Sequence, residues 1–407
     1  MKNKTLGIIV EYNPFHNGHL YNINKSKEIS KSDDVVVVMS GNYVQRGLPA
    51  ICDKYERCKM ALSSGVDLCI EMPTHFAIEG AENFAKCGVY LLEHSKIVDN
   101  IAFGSESGNI DNLKNISKFM LEKDQVVSDK LLKYLKVGYA YPKAFDFVLK
   151  DFGFTEELSA NNTLGIQYLK TLLELGSKIT PYTIKREGSN YHSTDLNCDY
   201  RGASASAIRE SIFTNNFNEN IERYLPKNIH DDFILKTNEN YTSLDNLSDI
   251  LHYKLSTMQH FELENINQIS EGIENRILKA SNKFYKISDI INQCTTKRYT
   301  KSRLQRAILS IILGINKNSM QEYKSNNLAQ YIRVLGYNKN KEYLLKDLVK
   351  KSTLPVVVNV NNAFLPPLAS KMLEEEKKFS KIYNLSFNTP KLSKYDEIKS
   401  QPIIYNK

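Results

Sequence analysis

The sequence predicts an α/β fold: a parallel sheet in the first half of the chain, followed by a mainly helical second half. Three observations carry that expectation. Apolar runs of strand length recur between residues 6 and 184 without alternating polar positions, as in strands covered on both faces. Helix-length segments and polar loops separate these runs, which is the pattern of β-α-β units. After an Asn-rich stretch at 215–222 the runs give way to successive helical patterns. At 407 residues the chain exceeds what one core usually supports, so we place a parallel-sheet domain at 1–215 and a mainly helical, basic domain at 216–407.

The first run, Leu6 to Val10, leads into the turn signal Asn13-Pro14 and then into His16-Asn17-Gly18-His19. Gly18 permits close approach to the backbone where a helix begins. Residues three apart share a helix face, so His16 and His19 both belong beside the positive, N–H-rich end of that helix, where a phosphate fits. A zinc site is the alternative for two such histidines, but no H-E-x-x-H and no third ligand follows. Leu20, Ile23, Ser26 and Ser30 mark the inner side of the helix, and Val35 to Met39 is the second strand. The polar loop Ser40 to Gly47 then lies at the carboxyl edge, where open α/β sheets bind ligands. Arg46 and Lys54 are candidate phosphate contacts there, or else solvated surface cations.

A helix over 53–63 and a third strand, Val66 to Glu71, come next. Around them His75, Glu79, Glu82 and Asn83 read either as the lining of a pocket for a small acid or as the start of a surface helix. Ile97 to Phe103 is the fourth strand, and Gly104 after it would let a nucleoside approach the backbone. The segment 111–158 is helical with a break at Pro142, and Asn162 sits near the N-cap of the helix that follows. Ile179 to Ile184 is the fifth strand, ending in Lys185-Arg186. Ser204, Ser206 and Arg209 share the first turn of a later helix. They form a second anion site or merely a cap.

The net charge of +8 is not evenly spread: residues 281–350 hold 14 Lys and Arg against 4 Asp and Glu. Within that region Lys297, Arg298, Tyr299, Lys301, Arg303 and Arg306 precede or enter a buried helix. Cations near helical spacing with an aromatic beside them suit a surface that holds nucleic-acid phosphates and stacks a base; a solvated cationic face is the alternative. Six cysteines without a C-x-x-C pair point to buried, reduced thiols. Met1-Lys2-Asn3-Lys4 leads straight into a strand and no apolar run approaches about 20 residues, so a cytoplasmic protein without membrane association is expected.

H-x-G-H after a strand and Asn-Pro resembles the signature of the nucleotidyltransferase and class I aminoacyl-tRNA synthetase superfamily. Gly7-Ile8-Ile9-Val10-Glu11-Tyr12-Asn13-Pro14-Phe15-His16-Asn17-Gly18-His19-Leu20, the loop Gly41 to Gly47, Phe103 to Glu106, Asn161-Asn162 with Leu164-Gly165, Lys185-Arg186 and Lys297 to Thr300 together resemble the bacterial tRNA(Met) cytidine acetate ligase family. The resemblance implies a nucleotidyltransferase-like Rossmann domain that activates acetate with ATP and transfers it to N4 of the wobble cytidine of elongator tRNA(Met). It implies ATP contacts at residues 7–20, Gly104, Asn162 and Arg186. Mg²⁺ is expected with ATP, held mainly by phosphate oxygens and water, with no protein ligand named. Two other classes remain open from the sequence: a small-molecule adenylyl- or cytidylyltransferase, and a non-catalytic RNA-binding protein with a vestigial nucleotide fold.

Overall fold

The computed structural model describes residues 3–155, 159–185, 204–214, 221–390 and 401–406. In chain order its strands are β1 Thr5–Val10, β2 Asp34–Ser40, β3 Tyr43–Val44, β4 Leu48–Pro49, β5 Leu68–Met72, β6 Asn100–Ser105, β7 Thr180–Lys185, β8 Ile332–Asn338, β9 Val356–Val357 and β10 Ile403–Tyr405. Eight of them form one sheet in the order β10-β8-β5-β2-β1-β6-β7, with β9 also on β8; β3 and β4 form a separate two-stranded ribbon.

The five strands expected from sequence are all present and run parallel. The chain winds from β1 through β2 to β5 on one side, then restarts at β6 and β7 on the other. This places the topological switch point, and with it the ligand crevice, at the carboxyl ends of β1 and β6. β2 is buried along its whole length, as its unbroken Val35-Val36-Val37-Val38-Met39 run demands.

The helix Asn17–Ser30 is the crossover between β1 and β2. Its inner face is thinly apolar, with Ile23, Ser26 and Ser30 buried. The Ser30 hydroxyl donates to the Ser26 carbonyl at 2.6 Å, and Asn100 Nδ2 donates to the Ser30 carbonyl at 3.2 Å and to Ser32 Oγ at 2.9 Å, while the buried Ser26 hydroxyl has no hydrogen-bond partner among the described residues. The expected helix at 53–63 is Lys54–Ser63, and its N-cap Asp53 accepts from the backbone N–H groups of Tyr55 and Glu56. The segment 111–158 resolves into helices Ile110–Glu122, Asp124–Lys136 and Tyr141–Asp151, with the proline in the first turn of the third.

The second half departs from expectation. The helical pattern predicted beyond residue 222 includes 332–338, but these residues form β8, buried throughout and antiparallel to β5; β10 then pairs with β8 from near the end of the chain. The sheet therefore takes strands from both sides of residue 215. One apolar cluster runs through both halves, from Val36 to Ile308 and Phe387. Helices such as Lys301–Leu313 and Pro367–Asn384 make up most of the remainder. Among the described residues five cysteines are free and buried, and no helix is long and apolar enough to cross a membrane.

Candidate active site

A cavity of about 280 Å³ opens at the switch point. Its floor is the end of β1 and the turn after it, Ile8 to Asn13. One wall is the β6–β7 side with Phe103, Gly104, Leu164, Tyr168 and Lys185; the other is the β3–β4 ribbon with Val44, Gln45, Arg46 and Leu48.

His16 and His19 stand at its rim and cap the helix reciprocally. His16 is the N-cap and its Nδ1 accepts from the Gly18 backbone N–H at 3.0 Å, while the His16 backbone N–H donates to His19 Nδ1 at 3.3 Å. This is the capping-box arrangement with imidazoles in place of a hydroxyl and a carboxylate. The two rings lie 3.8 Å apart and tilted by 30°. Because each Nδ1 accepts, each neutral ring carries its proton on Nε2, which makes that atom a hydrogen-bond donor. The sequence reading puts both histidines within the first turn; in the structure His16 stands just outside it, and its ring has taken up one amide of the turn.

The turn itself is held by a buried cation. Arg57 is fully buried, and its guanidinium donates to the carbonyls of Cys52 at 3.1 Å, Glu11 at 2.7 Å, Ser40 at 3.1 Å and Gly41. Glu11, Ser40 and Gly41 lie at the ends of β1 and β2, so one side chain ties these two strand ends to each other and to the segment before its own helix. Asn13 adds a second tie, its Oδ1 accepting from the Ile51 backbone N–H at 2.8 Å. Nothing in the sequence distinguishes Arg57 from a surface arginine.

The helix Ala205–Phe213 supplies the opposite rim. Ser204 is its N-cap, accepting from Ala207 N–H at 3.1 Å, and Arg209 donates to the Asn13 carbonyl at 2.5 Å and to Ser206 Oγ at 3.1 Å. Ser204, Ser206 and Arg209 all line the cavity, as does Arg46. On the β6 side, Glu106 caps the helix Ala160–Glu174 by accepting from the Ser159 hydroxyl, Asn161 Nδ2 at 2.6 Å and the Asn162 N–H at 2.9 Å. Burial pushes its carboxyl up, but these hydrogen bonds outweigh burial and hold it below the usual carboxylate range.

Several expected contacts are elsewhere. Of residues 7–20, the cavity is lined by Ile8 to Asn13, His16, Gly18 and His19. Gly7 backs onto Leu92 and Val98, Pro14 and Phe15 are buried, Asn17 donates to the Arg223 carbonyl, and Leu20 packs on the apolar core. Asn162 lies beside the cavity and not on its wall: its Oδ1 accepts from Glu106 N–H at 3.0 Å and so positions the loop after Gly104, while Asn161 takes the wall position. Arg186 lies outside the described residues. Lys54 is corrected outright: fully buried, it pairs with Glu71 at 2.6 Å beneath the sheet edge and cannot meet a phosphate. His75 is also buried, on Glu375 at 2.8 Å, and Glu79 is taken up by Asn83, Asn267 and Gln268. Exposed Glu82 does not line the cavity either; the residue after Asn83, Phe84, does.

The basic segment is built differently from its sequence reading. Lys297, Arg298 and Tyr299 precede the helix Lys301–Leu313, whose N-cap is Thr300. Tyr299 is buried, with the guanidiniums of Arg276, Arg298 and Arg303 within 5.4–5.9 Å of its ring centre, so it organises cations and is not open to stack a base. Glu271 pairs with Arg298 at 3.1 Å and Arg303 at 2.9 Å. Lys297, Arg298, Lys301 and Arg276 are exposed; Arg306 is partly covered, and its Nε is buried. The helix meets the cavity loop directly: at Gly47, φ +75°, a Cβ would lie 2.4 Å from the Arg306 backbone nitrogen.

A parallel sheet with its crevice at the switch point and an H-x-G-H helix start beside it defines a nucleotidyl transferase of the HIGH class, and the HIGH Nucleotidyl Transferase family matches residues 3–397. The tRNA(Met) cytidine acetate ligase of Thermoanaerobacter sp. (strain X514) is 42% identical over 401 residues, covering 97% of this chain and 98% of its own. That of Clostridium perfringens (strain SM101 / Type A) is 39% identical over 98% and 99%. Crystal structures of Thermotoga maritima TmcAL superpose with TM-scores of 0.91 for the apo form and 0.89 for the form bound with alpha-thio ATP, each at 30% identity over 99% of this chain and 100% of that one. The chain belongs to the tRNA(Met) cytidine acetate ligase family.

Proposed function

We propose that this protein is an ATP-dependent acetate ligase that forms acetyl-adenylate and transfers the acetyl group to N4 of the wobble cytidine, C34, of elongator tRNA(Met), in the cytoplasm. The observation that carries this reading is the imidazole pair at the rim of the crevice, with Arg209 and two serine hydroxyls across from it. ATP would lie along Ile8 to Asn13, with the nucleoside toward Gly104 and Asn161. Its β- and γ-phosphates would sit between the histidines and the Ser204–Arg209 turn.

Acetate is a weak nucleophile and its oxygen a poor leaving group, so amide formation requires activation. A carboxylate oxygen attacks the α-phosphorus, and the bond to the β-phosphate oxygen breaks with release of pyrophosphate. The protein aligns two anions and stabilises the charge that develops on the phosphates. His16 and His19 donate from Nε2, and the helix dipole adds to them. The cytidine amine then attacks the acyl carbon, AMP leaves, and the amine loses a proton. N4 in a stacked anticodon is poorly reachable, so the base would be turned out toward the cavity.

Mg²⁺ fits this site only as a passenger of the nucleotide. Among the described residues the cavity wall offers one carboxylate, Glu11, and one of its oxygens already accepts from Gln45 N–H. Phosphate oxygens and water would supply the remaining ligands, and the ion would add charge neutralisation.

For the acceptor, region 216–407 would contribute Lys297, Arg298, Lys301, Arg303 and Arg306 as tRNA contacts, while its β8 and β10 complete the sheet. The names of the relatives support tRNA(Met) as substrate. The test is incubation with ATP, labelled acetate and total tRNA, followed by nucleoside analysis. N4-acetylcytidine in tRNA(Met) is expected; its absence with folded, ATP-binding protein would overturn the proposal.

A further inference from the structure

The cavity has two sides, and the nucleotide placement proposed above uses only one. The β6–β7 side offers Phe103, Tyr168 and Gly104 to a nucleoside, and the phosphate-binding groups proposed above lie at the histidine and Ser204–Arg209 rims. On the β2 side, the ribbon and the helix Ala81–Ser95 bring Val44, Gln45, Arg46, Leu48 and Phe84 to the wall. In-line displacement at the α-phosphorus requires the attacking carboxylate to stand opposite the departing pyrophosphate. That direction leads away from the Ser204–Arg209 rim.

We propose that Val44, Gln45, Leu48 and Phe84 form the carboxylic acid subsite, in which Gln45 holds the carboxylate and the three apolar residues limit the acid to a short chain. This deepens the function proposed above and rests on it. The chemistry of the group matches such a ligand. The Gln45 backbone N–H is bound to Glu11 Oε1 at 2.8 Å, which fixes the loop, whereas its carboxamide makes no hydrogen bond with any described residue. An amide N–H orients one carboxylate oxygen without the charge neutralisation that a bidentate guanidinium would impose, so the other oxygen keeps its nucleophilicity. The methyl group of acetate then meets apolar surface.

The wall is also rigid, as a size limit requires. Val44 and Phe84 are 2% and 3% exposed. The ribbon is tied to the helix Pro367–Asn384 by Tyr43 Oη donating to the Phe379 carbonyl at 3.1 Å and Asn42 Nδ2 donating to Ser380 Oγ at 3.1 Å. Gly47 rests against the backbone at Arg306. These ties oppose the ribbon movement that a longer acid would require.

The experiment measures acid-dependent ATP–pyrophosphate exchange by the full chain with acetate, propionate and butyrate. Gln45→Ala should raise the KM for acetate at least about 10-fold and leave the KM for ATP within about twofold, and Gln45→Glu should raise it further by like-charge repulsion. Leu48→Ala and Val44→Ala should move the propionate-to-acetate ratio of kcat/KM upward by about 10-fold or more, since one methylene in an apolar pocket is worth about 10–200-fold. Leu48 and Gln45 are partly exposed, so these variants should fold even if Val44→Ala does not. Unchanged acetate KM and acid preference, with exchange intact, would overturn the subsite and leave the proposed function standing. If the unmutated protein binds ATP but no acid supports exchange, both fall.

Discussion

His16 is the N-cap of its helix and the proposed phosphate donor, and a pair of substitutions separates the two roles. As the N-cap it accepts from Gly18 N–H at 3.0 Å, and as a rim residue it is placed to donate from Nε2 to a phosphate. Losing a cap costs about 1 kcal/mol, whereas losing one donor aimed at developing charge costs about 2.7–4 kcal/mol, or roughly 10²–10³ in rate. Asparagine is among the best N-caps but is too short to replace the Nε2 donor. His16→Asn should therefore keep near-native stability and lose roughly 10²–10³ in acetate-dependent ATP–pyrophosphate exchange. His16→Ala should show the same loss of rate and be about 1 kcal/mol less stable, a fall in Tm of only about 1 °C for a chain of this length, so denaturant midpoints are the better readout. If His16→Asn restores rate and stability together, His16 acts only as a cap, and the phosphate-donor role assigned to it is refuted.

Three further outcomes follow from the same geometry. Glu71→Gln removes the carboxylate charge that the buried Lys54 meets at 2.6 Å and Arg333 at 3.4 Å, so it should destabilise by about 3–5 kcal/mol in urea unfolding, with Lys54→Met in the same chain recovering much of the loss. Glu106 has a folded-state pKa below its unfolded value, so its stabilisation is fully present above the ordinary carboxylate range and is lost as pH falls through the depressed value. The stability gap between the unmutated protein and Glu106→Gln should accordingly be widest near neutrality and close in acid, and a gap independent of pH would contradict this assignment. Charge reversal at exposed Lys297, Arg298 and Lys301 should weaken tRNA binding and lower its salt dependence by about one unit of slope for each phosphate no longer neutralised, with adenylate formation unaffected.

The sequence by itself determined the elements with strong local signals. The unbroken valine run of β2 and the strand-turn-helix start at His16 are short-range patterns, and both lie where the sequence places them. The five parallel strands and their order of connection follow from such runs, because a buried parallel strand has no polar face to disguise it. Tertiary structure decided what depends on partners distant in the chain. Ile332-Arg333-Val334-Leu335-Gly336-Tyr337-Asn338 becomes a strand because β5 offers it an edge, and only that pairing reveals that the second half completes the first half's sheet. Lys54 and Arg57 are three residues apart on one helix, and both look like surface cations in the sequence. Both are buried: one meets Glu71 and the other meets the carbonyls that end β1 and β2. A charge on a sequence carries no burial label; burial and partner are set only once the sheet has closed around it, and here that closure shapes the floor of the cavity that the two histidines line.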